Sequence, residues 1–191
     1  MLPSTTRVPL VIIPGIDNSG PAHWQSYWEA SHPDSRRIKP ASFDRPDLRD
    51  WVKAIDDAVS TCDTAPVLVA HSLGCLAILE WAKAWNVSEH VAAILLVAVP
   101  DPTGAAFPTD AGSFTRVTST PLGVPSSLVA STNDPYGSFD YAAAAASTTG
   151  AHLHPIGAVG HINENSGLGD WPEGQQLLAD LIDRLAPEVG L

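Results

Sequence analysis

The sequence predicts an α/β protein, with a mostly parallel six-stranded sheet, helices on both of its faces and a single domain over residues 1–191. Short apolar segments alternate with longer segments of helical periodicity, and this alternation is typical of a parallel sheet. No internal repeat, linker or change in composition marks a second domain. With 191 residues, of which 45% are hydrophobic, the chain can bury one substantial core.

Six segments are predicted to be strands because each is short and most are apolar. The first one tolerates Pro9 only at its start, and Pro14 and Gly15 end it. The second one is short and weakly patterned. The predicted strands are 8–13, 36–39, 67–70, 91–99, 126–130 and 152–156.

Five segments show the spacing of apolar residues that is typical of helices. The predicted helices are 24–30, 47–61, the segment from Ser72 to about Trp85, 136–147 and 173–185. Glycine and proline interrupt the segment 103–121, which has little periodicity. We expect a loop there, which is a candidate for a small flap over a site.

The charge of the chain excludes some classes of partner. Ten Lys and Arg against 21 Asp and Glu give a net charge of −11 at pH 7, so neither nucleic acid nor an anionic membrane is expected to bind. The apolar run 8–13 is too short for a signal-peptide core or a membrane span. Cys62 and Cys75 fit no metal motif and no disulfide framework. We expect both to be buried, reduced thiols in a cytoplasmic protein.

The segment Ala70-His71-Ser72-Leu73-Gly74 joins a predicted strand to a predicted helix. A sharp strand-to-helix turn with a serine at its apex is typical of a nucleophile elbow, usually written G-x-S-x-G. Ala70 departs from that pattern but is still small enough for the strand and helix to pack closely. A serine that only caps a helix would give a similar pattern. The elbow interpretation predicts that Ser72 is a catalytic nucleophile.

A serine nucleophile needs a base, and the site of a parallel sheet lies at the carboxyl ends of its strands. His161 fits, because it follows the last predicted strand in the glycine-containing loop 157–161. His71 adjoins Ser72, but neighbouring side chains at a sharp turn diverge, so we expect His71 to serve packing. The remaining histidines lie before the elbow, at the wrong end of a strand or on the last strand: His23, His32, His90, His152 and His154.

Two aspartates are candidates for the acid that orients His161. Asp134 follows the strand 126–130, and Asp101 follows the strand before that one. Asp134 is favoured because its strand comes directly before the strand of His161, and because Pro135 makes its turn rigid. The chain order Ser72, Asp134, His161 is the one found in α/β-hydrolases.

An oxyanion hole needs main-chain N–H groups that point at the developing negative charge. One donor is expected from Leu73, the residue after the nucleophile. The other is expected from the loop that begins Pro14-Gly15-Ile16, where Ile16 is the first choice and Asp17 the alternative.

Several motifs together resemble those of the small serine hydrolases related to retinoblastoma-binding protein 9, and the tail resembles their bacterial members. They are Val11-Ile12-Ile13-Pro14-Gly15, His23-Trp24-Gln25-Ser26-Tyr27-Trp28-Glu29, the elbow, Asn133-Asp134-Pro135-Tyr136, Gly160-His161-Ile162-Asn163 and the tail 166–174. The resemblance covers about 8–185. It implies an α/β-hydrolase fold without a large lid, and a triad of Ser72, Asp134 and His161. It implies no retinoblastoma-type partner, because Ala77 stands where the Leu-x-Cys-x-Glu motif needs glutamate.

The expected function is therefore that of a serine hydrolase, which cleaves a small ester, thioester or amide through an acyl-enzyme. No metal and no cofactor is expected, and the only predicted partner is the small acyl substrate. Two alternatives remain open on the sequence. The chain could transfer its acyl group to an alcohol or amine, or could use the same fold as a non-catalytic binding module.

Overall fold

The computed structural model describes residues 8–185, so the predicted extent 1–191 includes two ends that lie outside the described residues. It contains one six-stranded sheet in the order β2-β1-β3-β4-β5-β6, and every pairing is parallel. The strands are β1 (Leu10–Ile13), β2 (Arg36–Arg37), β3 (Val67–His71), β4 (Ala93–Val97), β5 (Ser126–Ala130) and β6 (His152–Pro155). The predicted fold class is confirmed.

Helices cover both faces of this sheet. They are α1 (Trp24–Ser31), α2 (Leu48–Ser60), α3 (Leu73–Trp81), α4 (Val87–His90), α5 (Phe139–Thr149) and α6 (Pro172–Asp183), with 3₁₀ turns at Thr109–Phe114 and Glu164–Ser166. The core of one face joins α2, α3 and α5 to the sheet, and the other core joins α1 and α6 to it. Alternate strand residues supply the two cores, as the pleat of a strand requires.

Several predicted boundaries are wrong. The helix after Ser72 ends at Trp81 rather than near Trp85, and a separate short helix, α4, follows it. The strand predicted over 91–99 is shorter because Ala98 takes a φ of 54°, which is outside the extended region. The helix predicted from Tyr136 begins only at Phe139, because the Ser138 side chain accepts a hydrogen bond from Tyr141 N and caps it.

Other predictions need smaller corrections. The second strand, predicted over 36–39, extends only over 36–37. The segment 103–121 contains a 3₁₀ turn, and its Phe114 is buried against the Trp51 ring, with centroids 5.6 Å apart. Because all the strands are parallel, their carboxyl ends meet along one edge of the sheet, where a site is expected. Among residues 8–185, no helix is long and apolar enough to cross a membrane.

Candidate active site

Ser72 stands at the turn between β3 and α3 in a strained conformation, with φ 51° and ψ −123°. Positive φ is costly for a residue that has a Cβ, and such strain clusters at functional sites. Ser72 occupies the N-cap position of α3, but its side chain makes no capping hydrogen bond. Helix capping therefore does not account for this serine.

Gly74 is what permits so sharp a turn. A Cβ atom on Gly74 would lie 2.5 Å from the carbonyl oxygens of Ile13 and Pro14, which is closer than any side chain allows. Ala70, which departs from the usual elbow pattern, is completely buried. The elbow helix thus packs directly on the end of β1, as the small residues of the sequence pattern predict.

His161 reaches the serine from the loop after β6. Its Nε2 lies 2.7 Å from Ser72 Oγ. The loop doubles back on itself with positive φ at Gly157 (79°), Gly160 (67°) and Ile162 (52°). The two glycines adopt this conformation at little cost, whereas the β-branched Ile162 does not.

Asp134 lies on the opposite side of the same ring. Its Oδ2 and Oδ1 are 2.8 and 2.9 Å from His161 Nδ1, and Oδ1 also accepts from Tyr136 N at 2.9 Å. Asp101 instead accepts hydrogen bonds from the N–H and hydroxyl of Thr103. The structure therefore brings Asp134, and not Asp101, to His161.

Sequence reasoning missed two side chains that hold these loops together. Asn133 Oδ1 accepts from Gly160 N at 2.7 Å, and Ser131 Oγ accepts from Val159 N at 3.0 Å. Both come just before Asp134, and both bind the loop just before His161. Short polar residues in a turn signal local side-chain-to-backbone bonds. That signal does not reveal a partner 27 or 28 residues away.

Two further histidines lie behind the site. His71 is buried, as expected for packing, and its Nε2 donates to the carbonyl oxygen of His161 at 2.9 Å. His23 caps α1, because its Nδ1 accepts from Gln25 N. Burial above all lowers the pKa of His23 to about 4 and lowers the pKa of His71 well below its usual range. Both rings are therefore neutral at pH 7.

A cavity of about 350 Å³ opens beside Ser72. Loops after several strands line it, and the segment 103–121 contributes Phe107 and Pro108, which fits its predicted place near the site. Leu73 and Ile16, the two expected oxyanion donors, are in the lining. Within the described part of the chain, neither of their main-chain N–H groups donates to another atom. Both N–H groups thus lack a protein acceptor among residues 8–185.

The walls of the cavity carry no Lys or Arg side chain within the range 8–185. Its charged lining residues are Asp17 and Glu164, and the other polar ones include Asn18, Asn163 and Asn165. Ile16, Phe107, Pro108 and Tyr136 supply apolar surface. The cavity therefore suits a small, partly apolar ligand that carries no strong negative charge.

The remaining candidate groups lie elsewhere. His152 Nδ1 and His154 Nε2 are 3.1 Å apart on β6. Residues 8–185 contain no group of three or more His, Cys, Asp or Glu side chains that could hold a metal ion. Cys75 is buried, and burial raises the pKa of its thiol. Cys62 is only half-buried, so the expectation that both thiols are buried is wrong for Cys62.

Comparison with known proteins identifies the family. A family model described as serine hydrolase matches residues 10–180. Among solved structures, a YdeN-like hydrolase from Pectobacterium atrosepticum is 34% identical with a TM-score of 0.84, and the match covers 96% of this chain and 95% of that one. The ydeN gene product of Bacillus subtilis is 22% identical with a TM-score of 0.78, covering 93% and 100%. No curated protein sequence matches the chain.

More distant similarity extends to the carboxylesterase CesB of Bacillus subtilis, which is 14% identical with a TM-score of 0.60, covering 94% of this chain and 85% of that one. At such identity the similarity shows the fold alone. The family match, in contrast, spans nearly the whole chain. The chain therefore belongs to the serine hydrolase family and is a serine hydrolase with the α/β-hydrolase fold.

Proposed function

We propose that this hydrolase cleaves a small carboxylic ester through an acyl-enzyme formed on Ser72. The observation that carries the proposal is the placement of Ser72 Oγ and Asp134 Oδ2 at 2.7 and 2.8 Å from the two nitrogens of the His161 ring. That is the order nucleophile, base and orienting acid. The resemblance of the motifs to hydrolases related to retinoblastoma-binding protein 9 supports the same activity.

The first half of the reaction forms the acyl-enzyme. Asp134 accepts a hydrogen bond from the Nδ1–H of neutral His161, which leaves the Nε2 lone pair for the Ser72 hydroxyl. As Ser72 Oγ bonds to the ester carbonyl carbon, its proton passes to Nε2. The carbonyl oxygen becomes an oxyanion, which the N–H groups of Leu73 and Ile16 stabilise in this proposal. When the carbon–oxygen bond of the ester breaks, Nε2 gives its proton to the leaving alcohol.

The second half releases the acid. A water molecule takes the place of the alcohol and gives a proton to His161 Nε2 as its oxygen bonds to the acyl carbon. The bond to Ser72 Oγ then breaks, and Nε2 returns the proton to that oxygen. Serine is regenerated and the carboxylic acid leaves. A thioester or an amide would follow the same steps with a thiol or an amine as the leaving group.

Covalent labelling tests the nucleophile. A fluorophosphonate probe should label the wild type at Ser72, and Ser72→Ala should abolish both labelling and hydrolysis of p-nitrophenyl butyrate. Ser60→Ala removes a hydroxyl at the far end of α2 and serves as the control. Equal labelling of the wild type and Ser72→Ala would refute the assignment. A panel of p-nitrophenyl esters should show preference for short acyl chains, because the cavity is only about 350 Å³.

A further inference from the structure

We infer that Trp24 and His71 are positioning residues for the hydrolysis reaction, which hold the main chain of His161 and Ile162 so that the imidazole meets Ser72. The inference rests on the proposed function. It is carried by two hydrogen bonds. In both, the acceptor is a main-chain carbonyl oxygen and not a side chain of the proposed triad. Trp24 Nε1 donates to the Ile162 carbonyl at 2.8 Å, and His71 Nε2 donates to the His161 carbonyl at 2.9 Å.

The backbone at this point needs external support. Ile162 has a φ of 52°, which is unfavourable for any residue with a Cβ and especially for a β-branched one. Such a conformation persists only where the surroundings over-determine it. Two consecutive carbonyls, those of His161 and Ile162, each accept a side-chain donor, and the rest of the loop is fixed through Asn133 and Ser131.

Both donors keep their proton in the folded protein. The indole N–H of Trp24 does not titrate in the range where proteins are folded. A carbonyl oxygen can only accept, so His71 must carry its proton on Nε2. Burial holds the pKa of His71 well below its usual range, so the ring remains the neutral Nε2–H form at neutral pH. The two contacts therefore do not change when His161 gains or loses a proton.

The donors are themselves held by the core. Trp24 is buried, and its ring lies 4.7 Å from the Trp28 ring and 5.1 Å from the Trp171 ring, between centroids. His71 is the last residue of β3 and directly precedes Ser72. One donor is thus attached to the nucleophile's own strand and the other to an aromatic cluster. The distance between Ser72 Oγ and His161 Nε2 depends on the hydrogen bonds of both donors.

The same aromatic cluster supplies a matched control. Trp28 Nε1 also donates to a main-chain carbonyl, that of Asp170, at the same distance of 2.8 Å. Trp28 is as buried as Trp24, but its acceptor lies outside the loop that carries His161. Replacing either tryptophan by phenylalanine removes one indole N–H and keeps an aromatic ring. Only Trp24→Phe releases the Ile162 carbonyl.

The experiment compares Trp24→Phe with Trp28→Phe in steady-state hydrolysis of p-nitrophenyl butyrate, alongside thermal unfolding. Because misplacement of a catalytic group by about 1 Å can cost about 100-fold, Trp24→Phe should lower kcat by about 10- to 100-fold. KM should change by no more than about twofold, since the substrate-binding walls are intact. Trp28→Phe should lose a similar amount of thermal stability yet keep kcat within about twofold of the wild type.

A second readout reports the geometry without turnover. The proton between His161 Nδ1 and Asp134 should give a low-field proton NMR signal, which Trp24→Phe broadens and Trp28→Phe leaves sharp.

A second pair of variants repeats the test at the other donor. His71→Leu removes the N–H and should lower kcat, and His71→Gln, which restores a side-chain N–H, should recover part of that loss.

Each outcome decides the inference. Equal kcat values for Trp24→Phe and Trp28→Phe, or a loss in Trp24→Phe that only follows its fall in thermal stability, would overturn it for Trp24. Equal loss in His71→Leu and His71→Gln would overturn it for His71. If the wild type hydrolyses no ester and Ser72 is not labelled, the proposed function fails. The NMR comparison then still tests whether Trp24 positions the ring of His161.

Discussion

The side-chain oxygen of Asn133 accepts a hydrogen bond from the main-chain N–H of Gly160 at 2.7 Å. This bond joins the loop after β5 to the loop after β6, and each residue of the pair is next to a group of the proposed triad. Asn133 precedes Asp134, and Gly160 precedes His161. The carboxylate of Asp134 and the imidazole of His161 are thus held together by this hydrogen bond between their loops as well as by their own contact.

Replacement of the two candidate acids separates their roles. Asp134→Asn should lower kcat by about 10⁴, the loss found for the corresponding change in the template Ser-His-Asp triad, because the amide favours the wrong tautomer of His161. Asp101→Asn should keep most activity, since the Asp101 carboxylate accepts hydrogen bonds only from Thr103 among the described residues. The measurement is kcat with p-nitrophenyl butyrate, and circular dichroism shows that both variants are folded.

Two outcomes would contradict this assignment. Loss of turnover in Asp101→Asn with activity retained in Asp134→Asn would move the acid to the loop after β4. If both variants keep full activity, Ser72 and His161 work without an acid, and the triad proposal must be withdrawn.

The closeness of the elbow helix to β1 gives a prediction about stability. Gly74→Ala would place a methyl group 2.5 Å from the carbonyl oxygens of Ile13 and Pro14, so the helix or the strand must move. We expect the free energy of unfolding to fall by about 1–3 kcal/mol or more, as for other overpacked cores. Gly112→Ala is the control, because its methyl group would meet no atom within 4 Å. Urea unfolding of both variants gives the comparison, and equal stability would contradict the close packing.

Much of the fold could be predicted because its signals are local. The apolar run 67–70, the small residues around Ser72 and the polar residues just past each strand's end are all readable within a few positions. The parallel alternation then brings Ser72, Asp134 and His161 to one edge of the sheet. Strand–helix order is thus sufficient to predict which loops meet, even where boundaries such as the end of α3 are displaced.

The missed features depend on contacts between distant segments. The bond from Trp24 to the Ile162 carbonyl spans 138 residues, and the bond from His71 to the His161 carbonyl spans 90. No periodicity encodes a side chain that binds a remote carbonyl, so the sequence predicts only packing for His71 and no contact between Trp24 and the loop of His161. The predicted helix ends are wrong for a related reason. Whether α5 begins at Phe139 or at Tyr136 depends on one capping hydrogen bond, made by Ser138, and not on apolar spacing.

The two cysteines should differ in reactivity, and neither should matter for hydrolysis. Burial raises the pKa of both thiols, but Cys75 is completely buried whereas Cys62 is half-buried. The thiolate is the reactive form, so iodoacetamide should alkylate Cys62 slowly and leave Cys75 intact in the folded protein. Mass spectrometry locates the label, and Cys62→Ser should prevent it. Alkylation of Cys75 in the folded protein together with loss of esterase activity would contradict both expectations. The reagent would then reach the Cys75 thiol, and that residue would matter for hydrolysis.

The buried His23 predicts how stability changes with pH. Its pKa is lowered from 6.5 to about 4, chiefly by burial, so between these values the unfolded chain binds a proton that the folded protein does not. The free energy of unfolding therefore rises with pH through this range. The contribution of neutral His23 to stability is lost as pH falls from 6.5 towards 4. For a single group with this shift, the loss between pH 7.5 and pH 5 is about 2 kcal/mol. The lowered pKa of His71 acts in the same direction.

Urea unfolding at pH 7.5 and pH 5 tests this with His23→Asn. Asparagine is a good N-cap residue whose oxygen can accept from Gln25 N, as His23 Nδ1 does, but it does not titrate. The variant should lose about 2 kcal/mol less than the wild type on acidification. His32→Asn, which removes a half-exposed histidine at the other end of α1, is measured alongside as the control. If His23→Asn loses as much stability as the wild type between pH 7.5 and pH 5, His23 is not held neutral in the folded protein. The loss of stability then comes from other groups such as His71.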